Sequence, residues 1–366
     1  GGEGTVMRAT RRGLRASAAL CAAGIALVAC APTPPAPPSP TLSSGSVSIS
    51  PEQRETIVQG LEAPWSIAFS GSTALLSERD TARIVEVSDA GETREVGVIE
   101  GVEPRGEGGL LGIAVHEGDL YAYSTAADEN RVQRFGLSGA PGSMKIGEPE
   151  TILSALPAAG NHNGGRIAFG PDGMLYVTVG DAGDREGAQD LGSLAGKILR
   201  VTPDGRVPED NPFEGSPVYS LGHRNPQGLA WDEDGTLYAS EFGQDTWDEL
   251  NVIEPGGNYG WPRVEGIADR ADFIDPVQQW TPGIASPSGI AITAGSIFIA
   301  NLRGERIRQV PLTDLRASGE FLVESLGRLR DVAVAPDGAL WLLTNNTDGR
   351  GDPDEGDDRV VRIPVG

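Results

Sequence analysis

The sequence predicts an all-β chain folded as a six-bladed β-propeller. Three observations carry that expectation. A strand, a tight glycine turn and a second strand occur together six times along the chain. The turn glycines Gly71, Gly118, Gly173, Gly235, Gly295 and Gly338 recur at roughly 45 to 60 residues, the length of one four-stranded blade. Glycine makes up 51 of 366 residues and proline 27, the composition of a chain built from short strands and many turns.

The elements follow in chain order. Arg8, Arg11, Arg12 and Arg15 precede an apolar stretch over residues 16–29 that ends in Leu27-Val28-Ala29-Cys30. A basic start, a short apolar middle and small residues before a break are the layout of a secretory signal. The stretch is too short and too alanine-rich to read as a membrane span. Leu27-Val28-Ala29-Cys30 resembles a bacterial lipobox, so residues 1–30 are expected to be a signal peptide that leaves Cys30 lipidated. That would hold the protein on the outer face of the cytoplasmic membrane, through the anchor alone. Thr10-Arg11-Arg12 loosely resembles a twin-arginine signal, which leaves two export routes open. Residues 31–50, rich in Pro and Ser, read as an extended tether. Cys21 and Cys30 are the only cysteines, so a domain over 51–366 has neither a disulfide nor a cysteine metal site.

The six copies pair residues 66–69 with 74–76, 112–115 with 120–123, 166–169 with 175–178, 228–231 with 237–239, 289–292 with 297–300 and 331–334 with 340–343. Each strand alternates small and apolar residues, and each turn carries Gly or Asp-Gly, the strongest short hairpin signal. The alternating segment Arg359-Val360-Val361-Arg362-Ile363 is expected to share a blade with residues 55–58 and so close the ring. With 52 acidic against 29 basic residues the net charge is −23, which disfavours any nucleic-acid partner. The acidic run over 348–358 reads as solvated and receives no role.

Propellers carry their chemistry on loops around the central channel, and only three histidines are available. His116 lies in a blade turn and reads as structural. His162, in Asn161-His162-Asn163-Gly164-Gly165-Arg166, directly precedes the inner strand of the third copy. His223, in Gly222-His223-Arg224-Asn225-Pro226-Gln227-Gly228, holds the same place in the fourth. Both clusters are expected at the channel mouth. A hairpin would bring Asp181 beside His162, where a carboxylate fixes the imidazole tautomer.

Those segments, with Gly180-Asp181, Gly257-Asn258-Tyr259-Gly260-Trp261-Pro262 and Arg328-Leu329-Arg330-Asp331-Val332, resemble the signature segments of the soluble glucose/sorbosone dehydrogenases, the PQQ-dependent aldose sugar dehydrogenases. They stand in the family's order over residues 58–364. The resemblance implies a six-bladed propeller that oxidises aldose sugars at C1 to lactones and passes electrons to an external acceptor. His162 would be the general base for the anomeric hydroxyl, with Asp181 orienting it. Arg224 would polarise the PQQ C5 oxygen beside Asn225, aided by calcium. PQQ carries three carboxylates, for which Arg303, Arg328 and Arg330 are the implied basic partners, and Glu107 belongs to the same site. Carbonyls of Gly243 and Gln244 would hold the calcium at PQQ, while Glu249 and the Tyr259 carbonyl would hold a second, structural one. The loops near Trp280 and over 266–274 could contact the sugar, but they carry no readable code for which one.

The chain departs from the family pattern in four places. Arg303 stands where lysine is common, Glu107 where glutamine is frequent, and Asn345-Asn346 where an acidic residue often contacts the cofactor. Phe242-Gly243-Gln244 replaces His-Gly-Pro. Two competing readings are a calcium-dependent propeller lactonase, with calcium on Glu, Asn and Asp side chains at the channel centre, and a non-catalytic propeller that binds sugar or cell wall.

Overall fold

The computed structural model describes residues 48–366. The expected signal segment with its lipobox Cys30, and all but the end of the expected tether, lie outside the described residues.

Strands of alternating small and apolar residues joined by glycine turns pair as antiparallel hairpins. β1 (Glu55–Gln59) opens the series. The first blade is β2 (Pro64–Ser70), β3 (Thr73–Glu78), β4 (Arg83–Val87) and β5 (Thr93–Val98). The second is β6 (Leu110–His116), β7 (Asp119–Thr125), β8 (Asn130–Ser138) and β9 (Lys145–Leu156). The third is β10 (Ile167–Phe169), β11 (Leu175–Val179), β12 (Lys197–Val201) and β13 (Val218–Leu221). The fourth is β14 (Asn225–Trp231), β15 (Leu237–Phe242), β16 (Asp248–Ile253) and β17 (Gln278–Trp280). The fifth is β18 (Pro287–Thr293), β19 (Ser296–Asn301), β20 (Arg306–Pro311) and β21 (Gly319–Phe321). The sixth joins both ends of the sequence: β22 (Leu329–Val334), β23 (Leu340–Thr344) and β24 (Arg359–Ile363) carry β1 as their outer strand.

These six four-stranded antiparallel sheets are the blades of a β-propeller. The expected closure is present, with Thr56 opposite Val361 and Val58 opposite Val360. Ile49, assigned to the tether by composition, bridges Val365 and is buried, so the packed domain begins ahead of Pro51.

The apolar core lies between blades. One cluster packs Leu111, Tyr121, Tyr123 and Val132 of the second blade against Leu175, Val177, Leu199 and Val218 of the third. Another joins Phe298 and Ile307 of the fifth to Leu329, Leu340 and Val361 of the sixth. Both faces of a blade are therefore covered, which is why its strands lack a polar face.

Five of the six innermost strands, all but β10, share an irregularity. A register shift interrupts β2 between Pro64 and Ser66, β6 between Leu110 and Ile113, β14 between Pro226 and Gly228, β18 between Pro287 and Ile290, and β22 between Leu329 and Asp331. An extra residue in one strand bends it and re-aims the side chain at the bulge. The residues caught in three of these bulges, Trp65, Gln227 and Arg330, all line the cavity described next.

Candidate active site

The starts of the innermost strands, with their bulges, and the loops that follow the second strands enclose a cavity of about 290 Å³. Glu107, His162, Arg224, Asn225, Gly243, Gln244, Arg303, Arg328 and Arg330 all line it, as the sequence led one to expect of a shared site. Beside Trp65 lies a buried polar cluster: Arg166 donates to Asp331 at 3.0 Å, to Ser66 at 3.2 Å and to the Gln227 carbonyl at 2.7 Å. Its guanidinium stacks on the Trp65 ring at 4.4 Å.

His162 sits in the loop before β10 with a left-handed backbone, φ 53°. That loop is pressed against the end of β11, where only a glycine fits: a Cβ on Gly180 would clash with the His162 carbonyl oxygen. Imidazole Nδ1 lies 2.7 Å from Asp181 Oδ1. Asp181 is fully buried, and its carboxylate also accepts the Gly183 N–H at 2.9 Å and the Trp261 indole N–H at 2.9 Å. Burial works to raise its pKa, but the bonds from His162, Gly183 and Trp261 outweigh burial and hold it below the ordinary carboxylate value. An ionised acceptor fixes the proton of the neutral imidazole on Nδ1. Nε2, across the ring from that bond, has no protein partner among the described residues, and His162 lines the cavity. The pair is thus arranged to take up a proton from a bound hydroxyl.

Six arginines, Arg79, Arg224, Arg303, Arg328, Arg330 and Arg350, line the cavity against Glu107, Asp248 and Asp348. A positive pocket has been cut into a chain of net charge −23. Arg330 reaches Asn345 Oδ1 through Nε at 3.0 Å and Nη2 at 2.8 Å, and Gln227 Oε1 through Nη1 at 3.0 Å. Arg328 meets Asp348 at 3.3 Å, and its backbone N–H donates to Asn346 Oδ1 at 2.8 Å. Burial pushes the Arg330 pKa down to about 9, so it stays cationic at neutral pH. Arg303 is exposed, with no partner among the described residues. Buried Nε atoms of Arg224 and Arg328 also lack partners. Cationic donors left unmatched at a cavity wall are what an anionic ligand satisfies.

Arg224 donates its backbone N–H to Glu241 at 3.1 Å and its Nη1 to the carbonyl of Gly243. The Gly243 oxygen, assigned to calcium by resemblance, is therefore engaged by a guanidinium here. Glu249 and Tyr259 line a smaller adjoining cavity with Glu241 and Glu265. Burial and the neighbouring Glu241 charge raise the Glu249 pKa above the ordinary glutamate value. Among the described residues no three His, Cys, Asp or Glu side chains are grouped to hold a metal by themselves. A cation at either place would draw on backbone carbonyls as well.

Two expectations need correction. His223 does not face the channel mouth: it is buried between Ser220, 2.8 Å from Nε2, and Glu241, 3.1 Å from Nδ1, and it stacks on Tyr259. Trp280 itself is buried beneath Arg308, whereas Pro282 and Ser286 from the loop that follows it line the cavity and no residue of 266–274 does. The acidic run is not idle, because Asp348 and Arg350 both line the cavity. Asp348 brings a carboxylate to Arg328 and Arg330 shortly after the Asn345-Asn346 departure. His116 has the structural place expected, stacked on Phe169 at 3.9 Å. Sequence reasoning passed over Trp65, Arg79, Gln227 and Asp248, and gave Trp261 no role. The only signal for Gln227 and Trp261 was their place inside segments singled out for other residues.

The family model described as Glucose / Sorbosone dehydrogenase matches residues 61–351. The chain belongs to that family. Membership makes it an oxidoreductase of the sugar-dehydrogenase type. The PQQ-bound aldose sugar dehydrogenase of Streptomyces coelicolor superposes with a TM-score of 0.84 at 49% identity, over 90% of this chain and 100% of that one. Aldose sugar dehydrogenase YliI of Escherichia coli is 28% identical over 81% of this chain and 90% of its own length. Quinoprotein glucose dehydrogenase B of Acinetobacter calcoaceticus is 31% identical over 60% of this chain, which spans about half of that longer relative, 54%.

Proposed function

We propose that this chain of the glucose / sorbosone dehydrogenase family oxidises aldose sugars at C1 to lactones with PQQ and calcium, and passes the electrons to an external acceptor. The observation that carries the reading is the His162 imidazole, locked to buried Asp181 through Nδ1 and open to a cationic cavity through Nε2. A small planar tricarboxylate suits the donor set: arginines on several sides, unpaired Nε atoms on Arg224 and Arg328, and an unpartnered Arg303. Arg303, Arg328 and Arg330 would hold its carboxylates. The carbonyls of Gly243 and Gln244 would hold calcium there, with Glu249 and the Tyr259 carbonyl at a second, structural ion.

PQQ supplies a quinone able to accept hydride from the sugar C1, and calcium adds positive charge beside it. His162 Nε2 takes the anomeric hydroxyl proton, which lets the C1 oxygen become the lactone carbonyl. Asp181 keeps that nitrogen unprotonated beforehand and stabilises the imidazolium afterwards. Arg224, which lines the same cavity, would offer its cation to the oxygen that gains charge. Against the lactonase reading, the buried Asp331 carboxylate is paired with Arg166 at 3.0 Å rather than open to a cation.

The test is reconstitution of the purified protein with PQQ and calcium, followed by dye reduction with a panel of aldoses. One lactone per two electrons is expected. A well-folded protein that neither binds PQQ nor reduces dye overturns the proposal. Export and lipid anchoring at Cys30 complete it, on the strength of Leu27-Val28-Ala29-Cys30 after the basic start. Cys30→Ala should move the protein from the membrane to the soluble fraction of the native host, and an unchanged membrane fraction refutes the anchor.

A further inference from the structure

Both backbone polar groups of His162 are tied down. Its carbonyl accepts the Ala182 N–H at 3.1 Å, and its N–H donates 3.0 Å to Glu107 Oε2. The other carboxylate oxygen of Glu107, Oε1, accepts Arg350 Nη1 at 2.9 Å. Glu107 comes from the turn before β6, and Arg350 from the loop after β23, so the contact reaches from the sixth blade to the second. The Glu107 turn is itself seated on the His162 loop, since the Glu107 N–H donates to the Gly160 carbonyl at 2.9 Å.

A left-handed non-glycine residue persists only where its surroundings over-determine it. At His162 the backbone conformation sets where the imidazole stands, and Glu107 is the side chain that grips the amide. We propose that Glu107 is a positioning residue for His162, with Arg350 holding the Glu107 carboxylate in place. The inference deepens the functional reading above and rests on it for its catalytic consequence.

Charge supports the geometry. Burial alone works to raise the Glu107 pKa, yet the His162 N–H and the Arg350 charge together hold it below the ordinary glutamate value. Arg350, His162 and Arg330 are the charged or titratable groups that act on it from the facing loops. A carboxylate kept ionised remains an acceptor for the amide, and its charge is neutralised where the cavity must admit an anion.

The experiment labels the protein with [15N]histidine. Three histidines give three backbone amide resonances, and His162→Asn identifies the one of interest. In the cofactor-free protein Glu107→Ala should shift that resonance upfield, while Glu107→Gln, which keeps an acceptor oxygen, should leave it near its original place. Arg350→Ala should shift it in the same direction as Glu107→Ala, by less. In the loaded enzyme Glu107→Ala should lower kcat by about 10²-fold, with KM for the sugar little changed, because a misplaced base slows the reaction without removing a sugar contact. Glu107→Gln should retain most of kcat. A His162 amide that ignores Glu107→Ala overturns the inference, as does Glu107→Ala with kcat within twofold of the wild type. A wild-type protein inactive with PQQ and calcium would instead overturn the functional reading, and the amide shift would still decide whether Glu107 positions His162.

Discussion

Asp181 offers its carboxylate to three donors from three segments: the His162 ring, the Gly183 amide and the Trp261 indole. Asp181→Asn preserves the shape but allows the wrong imidazole tautomer. Turnover should fall by about 10²- to 10⁴-fold, read as kcat for dye reduction. The same substitution carries a pH signature. Because the folded pKa of Asp181 lies below its unfolded value, its bonding stabilises the protein fully above pH of about 4 and is lost as pH falls through the lowered folded value. The Tm gap between wild type and Asp181→Asn should therefore be constant near neutrality and narrow only in strong acid; a gap that widens on acidification contradicts the assignment. The His162–Asp181 pair was legible because a hairpin of known length brings its two ends together. The burial of His223 was not: its segment is as polar as that of His162, and nothing in residue order says that Glu241, on the neighbouring strand, turns the ring inward.

At the scale of elements, the bulges do the aiming. The sequence pattern placed the innermost strands, but an added residue within an apolar run leaves the composition unchanged, so the turning of Trp65, Gln227 and Arg330 toward the cavity could not be read from it. Another device supports the segment between β11 and β12. The Lys197 ammonium, fully buried, donates to the carbonyls of Gly187 at 2.7 Å, Ala188 at 3.3 Å and Ala195 at 2.6 Å. It occupies a cage of backbone oxygens much as a bound cation would, and stiffens the segment that begins with Asp181. Lys197→Met leaves those acceptors unpaired and should cost about 2 to 4 kcal/mol, measured by urea denaturation. A loss below 0.5 kcal/mol would mean that the cage contributes little.

For the whole molecule, closure and charge matter most. β1 supplies the outer strand of the blade that carries Arg328, Arg330 and Asp348, so the two ends of the sequence meet in the sheet beside the site. Removing residues through Gln59 leaves β24 paired only with β23 and uncovers Leu343 and Val360, which pack with Val58. The truncated protein should unfold at lower temperature and bind PQQ more weakly. The repeat count made this closure readable in advance. The cationic pocket was only partly so, because Arg79 and Arg350 reach it from loops with no shared pattern. An anionic molecule that concentrates guanidinium groups in one pocket attracts a tricarboxylate over short range only, so PQQ affinity should fall as salt rises from 0.05 to 0.5 M.

The central claim is that one nitrogen of His162 removes the substrate proton. Wild type and His162→Ala, loaded equally with PQQ and calcium, should be mixed with saturating aldose and followed through a single turnover. The account predicts unchanged cofactor binding and a reduction step slowed by about 10²- to 10⁴-fold; equal rates at equal loading would contradict it.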